Sequence, residues 1–93
     1  MQTTDVFDEW FANLRDRAAR ARIQVRIDRL ACGNPGQHRN LKNGVTELKI
    51  DFGPGYRVYY VTRAGITYIL LCGGDKASQQ ADVERAQAMA EHL

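Results

Sequence analysis

An α+β fold is the reading this sequence supports: two N-terminal helices, a three-stranded antiparallel meander, and one C-terminal helix, with a helical layer over one face of the sheet. Three observations predict it. Phe7, Trp10, Phe11 and Leu14 fall at i, i+3, i+4 and i+7, the spacing of one helix face. From Leu48 through Ile50 to Phe52 the apolar period drops to two, the spacing of a strand with one buried side. Between the periodic segments lie Gly- and Pro-rich breaks that neither a helix nor a central strand accommodates.

In chain order, residues 5–16 read as an amphipathic helix capped by Thr4 or Asp5. Residues 17–31 read as a second helix that buries Ile23, Ile27 and Leu30. Its opposite stripe carries Arg22, Arg26 and Arg29, continued by Arg15 one heptad earlier. The stretch GNPGQHRNLKNG (33–44) reads as a basic loop. In residues 45–52, Glu47, Lys49 and Asp51 alternate with the apolar positions, and Gly53-Pro54-Gly55 then forces a turn. Residues 56–63 form the next strand, with Tyr56, Val58 and Tyr60 on one face and Arg57, Tyr59 and Val61 on the other. Ala64-Gly65 closes a hairpin, and Ile66–Cys72, apolar on both faces, is the central strand. Gly73-Gly74 ends it, and Ser78 caps a last helix lined by Val83, Ala86, Ala90 and Leu93.

A chain of 93 residues is expected to form a single domain, residues 1–93, with a thin core. Formal charge is only +2, but ten of the thirteen cations are Arg, and seven of those lie between Arg15 and Arg39. A local arginine excess suits phosphates or an acidic protein surface. Cys32, Cys72, His38 and His92 are scattered, so no zinc site and no disulfide framework can be read, and no cofactor is implied. MQTTDVFDEW has neither a basic start nor an apolar stretch, and the run Ile69–Cys72 is far short of a membrane span. The expectation is a soluble, cytoplasmic protein with no membrane partner.

Three segments carry a resemblance: RIxRLxxGNxG, GVxELKIDFGPGYRVYY and LLCGGDKxxQxxDxxxA. Together they resemble the RelE/ParE superfamily of toxins from type II toxin–antitoxin modules. More narrowly they resemble its HigB-like "addiction module killer protein" branch, related to phage-derived Gp49-like proteins. The likeness spans roughly residues 7–90. It implies a RelE-like fold, metal-independent cleavage of mRNA by an endoribonuclease, often on the ribosome, and neutralisation by a cognate helix-turn-helix antitoxin from an adjacent gene. DNA would be contacted only indirectly, through the antitoxin complex. The same superfamily includes ParE-like toxins that inhibit DNA gyrase, and weakly active toxins whose main role is antitoxin binding and operon autoregulation. Both stand as alternatives.

The candidate catalytic residues are Arg57, Lys76, Glu47 and Lys49. In the family an arginine after the turn contacts the scissile phosphate, and Arg57 occupies that place, expected on an exposed sheet face; the plainer reading pairs it with Glu47 or Asp51. Cleavage without a metal needs a base for the 2′-hydroxyl proton and an acid or cation for the departing 5′-oxygen. Glu47 is the expected base and Lys49 the phosphate contact or acid, although alternating charges also simply solvate a strand. Lys76, after Gly73-Gly74-Asp75, sits where relatives place a cationic catalytic residue, at a helix N-terminus that itself attracts anions. For RNA binding the candidates are Tyr59, which would stack on a base, and the stripe Arg22, Arg26 and Arg29, suited to ribosomal RNA or to docking of an antitoxin. Several relatives carry a histidine near the end of the last strand. CGGDK has none there, and His38 and His92 are read as exposed and uninvolved.

Overall fold

The computed structural model describes residues 1–64 and 67–93. Its elements are β1 (Gln2–Thr3), α1 (Asp5–Ala12), α2 (Arg17–Ala31), β2 (His38–Asn40), β3 (Thr46–Ile50), β4 (Tyr56–Arg63), β5 (Thr67–Gly74) and α3 (Gln79–Glu91), with 3-10 turns at Lys42–Gly44 and Lys76–Ser78. The α+β class and the three helices stand. The sheet, however, has five strands in the order β1-β5-β4-β3-β2, with β1 parallel to β5 and the other neighbours antiparallel.

Both additional strands are short and polar, so they carry no periodicity. β1 is held by its junction with α1. The Thr4 side chain accepts from the Phe7 N–H at 3.1 Å, capping α1, and its hydroxyl donates to the Leu71 carbonyl at 2.6 Å. β2 lies inside the stretch expected to be a basic loop, and pairs His38, Arg39 and Asn40 with Leu48, Glu47 and Thr46. All three β2 residues are exposed, so what forms the strand is the open hydrogen-bonding edge of β3, not burial.

The helices cover both faces of the sheet instead of the one expected. On one side Phe7 from α1 and Ala19, Ile23, Ile27 and Leu30 from α2 pack on Leu48, Ile50, Val58, Tyr60 and Leu70. On the other, Ala86 and Ala90 of α3 pack on Val45, Tyr59, Val61, Leu71 and Cys72. The run Tyr56–Val61 is buried residue by residue, as befits a strand sandwiched between two layers. A bulge between Tyr59 and Tyr60 pairs Tyr59 with Cys72 and Tyr60 with Leu70, which turns Leu71 and Cys72 together toward α3.

Element ends differ in informative ways. α1 stops at Ala12, four residues short of expectation, because Asp16 starts a new helix by accepting from the Ala18 and Ala19 N–H groups at 2.9 and 3.2 Å. Gly73-Gly74 ends β5 as expected, but as its last two paired residues, opposite Val58 and Arg57. A Cβ at Gly73 would overlap the Trp10 ring, and one at Gly74 would overlap the Asp82 carboxylate. The two glycines therefore admit α1 and α3 to opposite faces. Ser78 precedes α3 without capping it by its side chain; Asp75 caps the preceding turn instead, in a capping box with Ser78. The expected hairpin closure at Gly65 and strand start at Ile66 lie outside the described residues.

Cys72 is sealed beneath α3, and burial, with Asp82 second, pushes its thiol from the usual 9.0 up to about 12. Iodoacetamide at pH 8 is accordingly expected to label only the exposed Cys32 in the native protein, and both cysteines after unfolding in urea. An unfolded thiol releases its proton near 9.0 and the folded one only near 12, so stability falls as pH rises between those values. Native labelling at two sites would show that the α3 layer opens readily.

Candidate functional site

Strand register assembles the site. Across the sheet Lys49 pairs with Arg57 and Arg57 with Gly74; one step along, Arg39 pairs with Glu47, Glu47 with Tyr59 and Tyr59 with Cys72. Paired residues share a face, so Arg39, Glu47, Lys49, Arg57 and Tyr59 all lie on the α3 side of the sheet. The tight turn before Arg57 requires Gly55, with φ at +80°. A Cβ there would stand 3.2 Å from Arg57 Nη1 and 3.8 Å from Lys76 Cβ, so the turn threads between those two side chains.

Arg57 is buried, 5% exposed, which corrects the expectation of an exposed residue. Arg57 lies in the interior strand β4, on the face where α3 also buries Tyr59 and Val61. Its Nη1 donates to the Gly55 carbonyl at 2.7 Å, while Nε is buried without a partner. Among the described residues no carboxylate pairs with it. A buried guanidinium with no counter-anion carries an uncompensated charge, which is costly to keep out of water.

Glu47 is also buried, at 4%. Its Oε2 accepts from Tyr59 Oη at 3.1 Å, Gln79 Nε2 at 3.1 Å and Arg39 Nη2 at 3.3 Å. Among the described residues Oε1 accepts no hydrogen bond, and it remains open to solvent. Three donors thus fix the carboxylate by one oxygen and leave the other free. Glu47, the half-buried Lys49 and Arg57 line one cavity of about 280 Å³, together with His38, Arg39 and Gln79.

Lys76 stands beside Arg57, across Gly55, but does not line that cavity. It is exposed and lines an adjoining cavity of about 510 Å³ that shares Arg39 and Gln79 with the first.

The expected RNA-stacking role of Tyr59 is overturned, since the ring is completely buried under α3. Burial first, and then the Glu47 carboxylate, raise its hydroxyl well above the usual range, so it is a neutral donor that positions Glu47. The arginine stripe divides. Arg26 spends its guanidinium on the carbonyls of Lys49, Pro35 and Gln37, tying the loop before β2 to β3, and is not free for phosphate. Arg22 lies over the Phe52 ring, 4.9 Å from its centroid. Arg22 and Arg29 line a different groove with Asp51 and Phe52, which meets the Glu47–Arg57 cavity only at Gln37. Arg15 sits in the connector before α2 rather than on it.

Sequence reasoning missed Arg39, Gln79 and His38. Gln79 had a signal: it continues the α3 stripe of Val83, Ala86 and Ala90 one turn back, a polar residue on a buried face. Arg39 had none, because β2 carries no periodicity. His38, read as uninvolved, lines the cavity, and its Nδ1–H donates to the Gly36 carbonyl at 2.7 Å. His92 caps the end of α3 and is exposed.

Comparison with known proteins places the chain. A protein of Haemophilus influenzae, described only as uncharacterized, is 44% identical over 93 residues, covering 100% of this chain and 94% of the relative. The sequence model of the family "Phage derived protein Gp49-like (DUF891)" matches residues 9–91, which include every strand and helix that builds the two cavities. By that match the chain belongs to the Gp49-like family of phage-derived proteins.

Proposed function

We propose that this protein is the toxin of a type II toxin–antitoxin pair within the RelE/ParE superfamily, an endoribonuclease that cuts mRNA, on the ribosome, and so halts translation. Its partner would be a cognate helix-turn-helix antitoxin. Membership of the Gp49-like family supports the toxin reading. One observation carries the chemistry: a buried, uncompensated Arg57 shares a cavity with a Glu47 carboxylate held by Oε2 and open at Oε1.

In the proposed reaction the Arg57 guanidinium, which lines the cavity, holds the scissile phosphodiester and stabilises the extra negative charge on the five-coordinate phosphorus. Glu47 Oε1 takes the 2′-hydroxyl proton as the 2′-oxygen attacks phosphorus. A P–O2′ bond forms and the P–O5′ bond breaks. The Lys49 ammonium, beside Arg57 in register, gives its proton to the departing 5′-oxygen. The products are a 2′,3′-cyclic phosphate and a 5′-hydroxyl. Tyr59 and Gln79 act through Glu47 as positioning residues, and no step is assigned to a metal.

Primer extension on a reporter transcript during induction tests this reading. New message ends are expected with the unaltered protein, and Glu47→Gln should slow their appearance by about 10²-fold or more. Full cleavage by Glu47→Gln would remove the base assignment. If DNA replication stops before protein synthesis and no new ends appear, a gyrase-directed activity replaces the ribonuclease.

A further inference from the structure

We propose that the cavity beside Lys76 is a further nucleotide subsite, which holds the nucleotide one step beyond the two joined by the scissile linkage, with the phosphate that attaches it between Lys76 and Arg39. The inference rests on the ribonuclease reading and moves Lys76 from the scissile phosphate, where resemblance puts it, to a neighbouring one. The lining has the chemistry of a nucleotide site. Arg39 and Lys76 supply two cations, Gln79 and Gln80 supply amides for base or sugar edges, and Leu41 and Val83 supply an apolar wall. Among the described residues no acidic side chain lines it, and at about 510 Å³ it has room for one nucleotide. Among the same residues Lys76 has no carboxylate partner, and the nearest carboxylate in sequence, Asp75, is turned into the capping box.

Continuity with the first cavity gives the subsite its direction. Arg39 and Gln79 line both, so the two cavities adjoin along those side chains and consecutive nucleotides can occupy them in turn. Arg39, whose side chain is 58% exposed, holds Glu47 by one 3.3 Å contact and stands on the boundary. Both cavities lie on the α3 side of the sheet, and Gly55 keeps Lys76 beside Arg57 without placing it in the same cavity.

The test uses RNA oligonucleotides copied from a cut site mapped by primer extension, with the attacking 2′-hydroxyl replaced by hydrogen so that nothing is cleaved. A dinucleotide is compared with trinucleotides extended on the 5′ or the 3′ side, and affinity is followed against KCl concentration. One extension is expected to tighten binding about tenfold and to steepen the salt dependence by roughly one phosphate contact. Lys76→Gln, and separately Gln80→Glu, should erase that gain, so that each variant binds the extended trinucleotide no better than the dinucleotide. Both positions are exposed, so the variants should fold. If Lys76→Gln weakens dinucleotide and trinucleotides by one common factor, Lys76 grips the scissile phosphate and the subsite is wrong while the ribonuclease stands. A dinucleotide that binds as tightly as either extended form overturns the subsite in the same way. If no cut site can be mapped at all, the ribonuclease reading has failed and takes the subsite with it.

Discussion

On the ribonuclease reading, Arg57→Met is expected to slow RNA cleavage by roughly 10²–10³-fold and, in the same molecule, to raise the melting temperature. Arg57 is 5% exposed, makes one hydrogen bond at 2.7 Å, leaves Nε unpartnered and, among the described residues, faces no carboxylate. Taking a charge out of water without a partner costs several kcal/mol. Methionine has similar length and no charge, and replacing buried ionic groups by apolar ones of like volume is neutral or stabilising by about 1–4 kcal/mol. In a domain of this length each kcal/mol moves the melting temperature by about 4–8 °C. The phosphate meanwhile loses the buried cation of the cavity, a loss on the order of 10²–10³ in rate. Arg57→Lys should fall between, since it keeps a charge and loses the fork. Thermal unfolding by circular dichroism and cleavage of a mapped reporter give both readings on one preparation. A variant that melts well below the parent would mean that Arg57 holds the β4–turn junction together, and the anion-site argument would go with it.

The opposite signs of those two effects explain what the sequence could and could not reveal. Local period was enough for α2, whose bounds Arg17–Ala31 match the expectation, and for β4, Tyr56–Arg63. Both have long, regular apolar patterns. Burial of Arg57 was illegible, because alternation assigns a residue to a face but cannot say what covers that face. Tyr59 and Val61 on the same side were the available hint, since two large apolar residues flanking an arginine's face suggest a second packed layer. The grouping of Glu47, Lys49 and Arg57 was legible from hairpin register alone. Arg39 and Gln79 were not, because they arrive from a short polar edge strand and from a helix separated by 32 positions from Glu47. The stripe on α2 was legible as a pattern but not in its purpose: Arg26 looked like its neighbours and is instead a structural tie to three carbonyls.

Gly73→Ala is expected to destabilise the fold although it adds a single methyl. Gly73 sits in β5 opposite Val58, on the face covered by α1 and α2, and its backbone is ordinary strand, so conformational strain plays no part. The damage is steric. An added Cβ would overlap three ring atoms of Trp10, and that ring is wedged against Phe7 and Phe11, with centroids 5.8 and 6.5 Å away. Trp10 cannot turn aside without breaking the aromatic cluster that docks α1. Overpacking of this kind costs about 1–3 kcal/mol, enough to lower the melting temperature by some 4–8 °C for each kcal/mol. The cause can be isolated with a double-mutant cycle. Trp10→Leu alone should destabilise through lost burial, but in its presence Gly73→Ala should become nearly neutral, with a coupling of about 0.5–3 kcal/mol between the sites. If Gly73→Ala is equally harmful with leucine at position 10, the clash is not the reason for the glycine. Cleavage per folded molecule should meanwhile survive Gly73→Ala, because the Glu47–Arg57 cavity lies on the opposite side of the sheet, where Gly74 and not Gly73 makes room for α3.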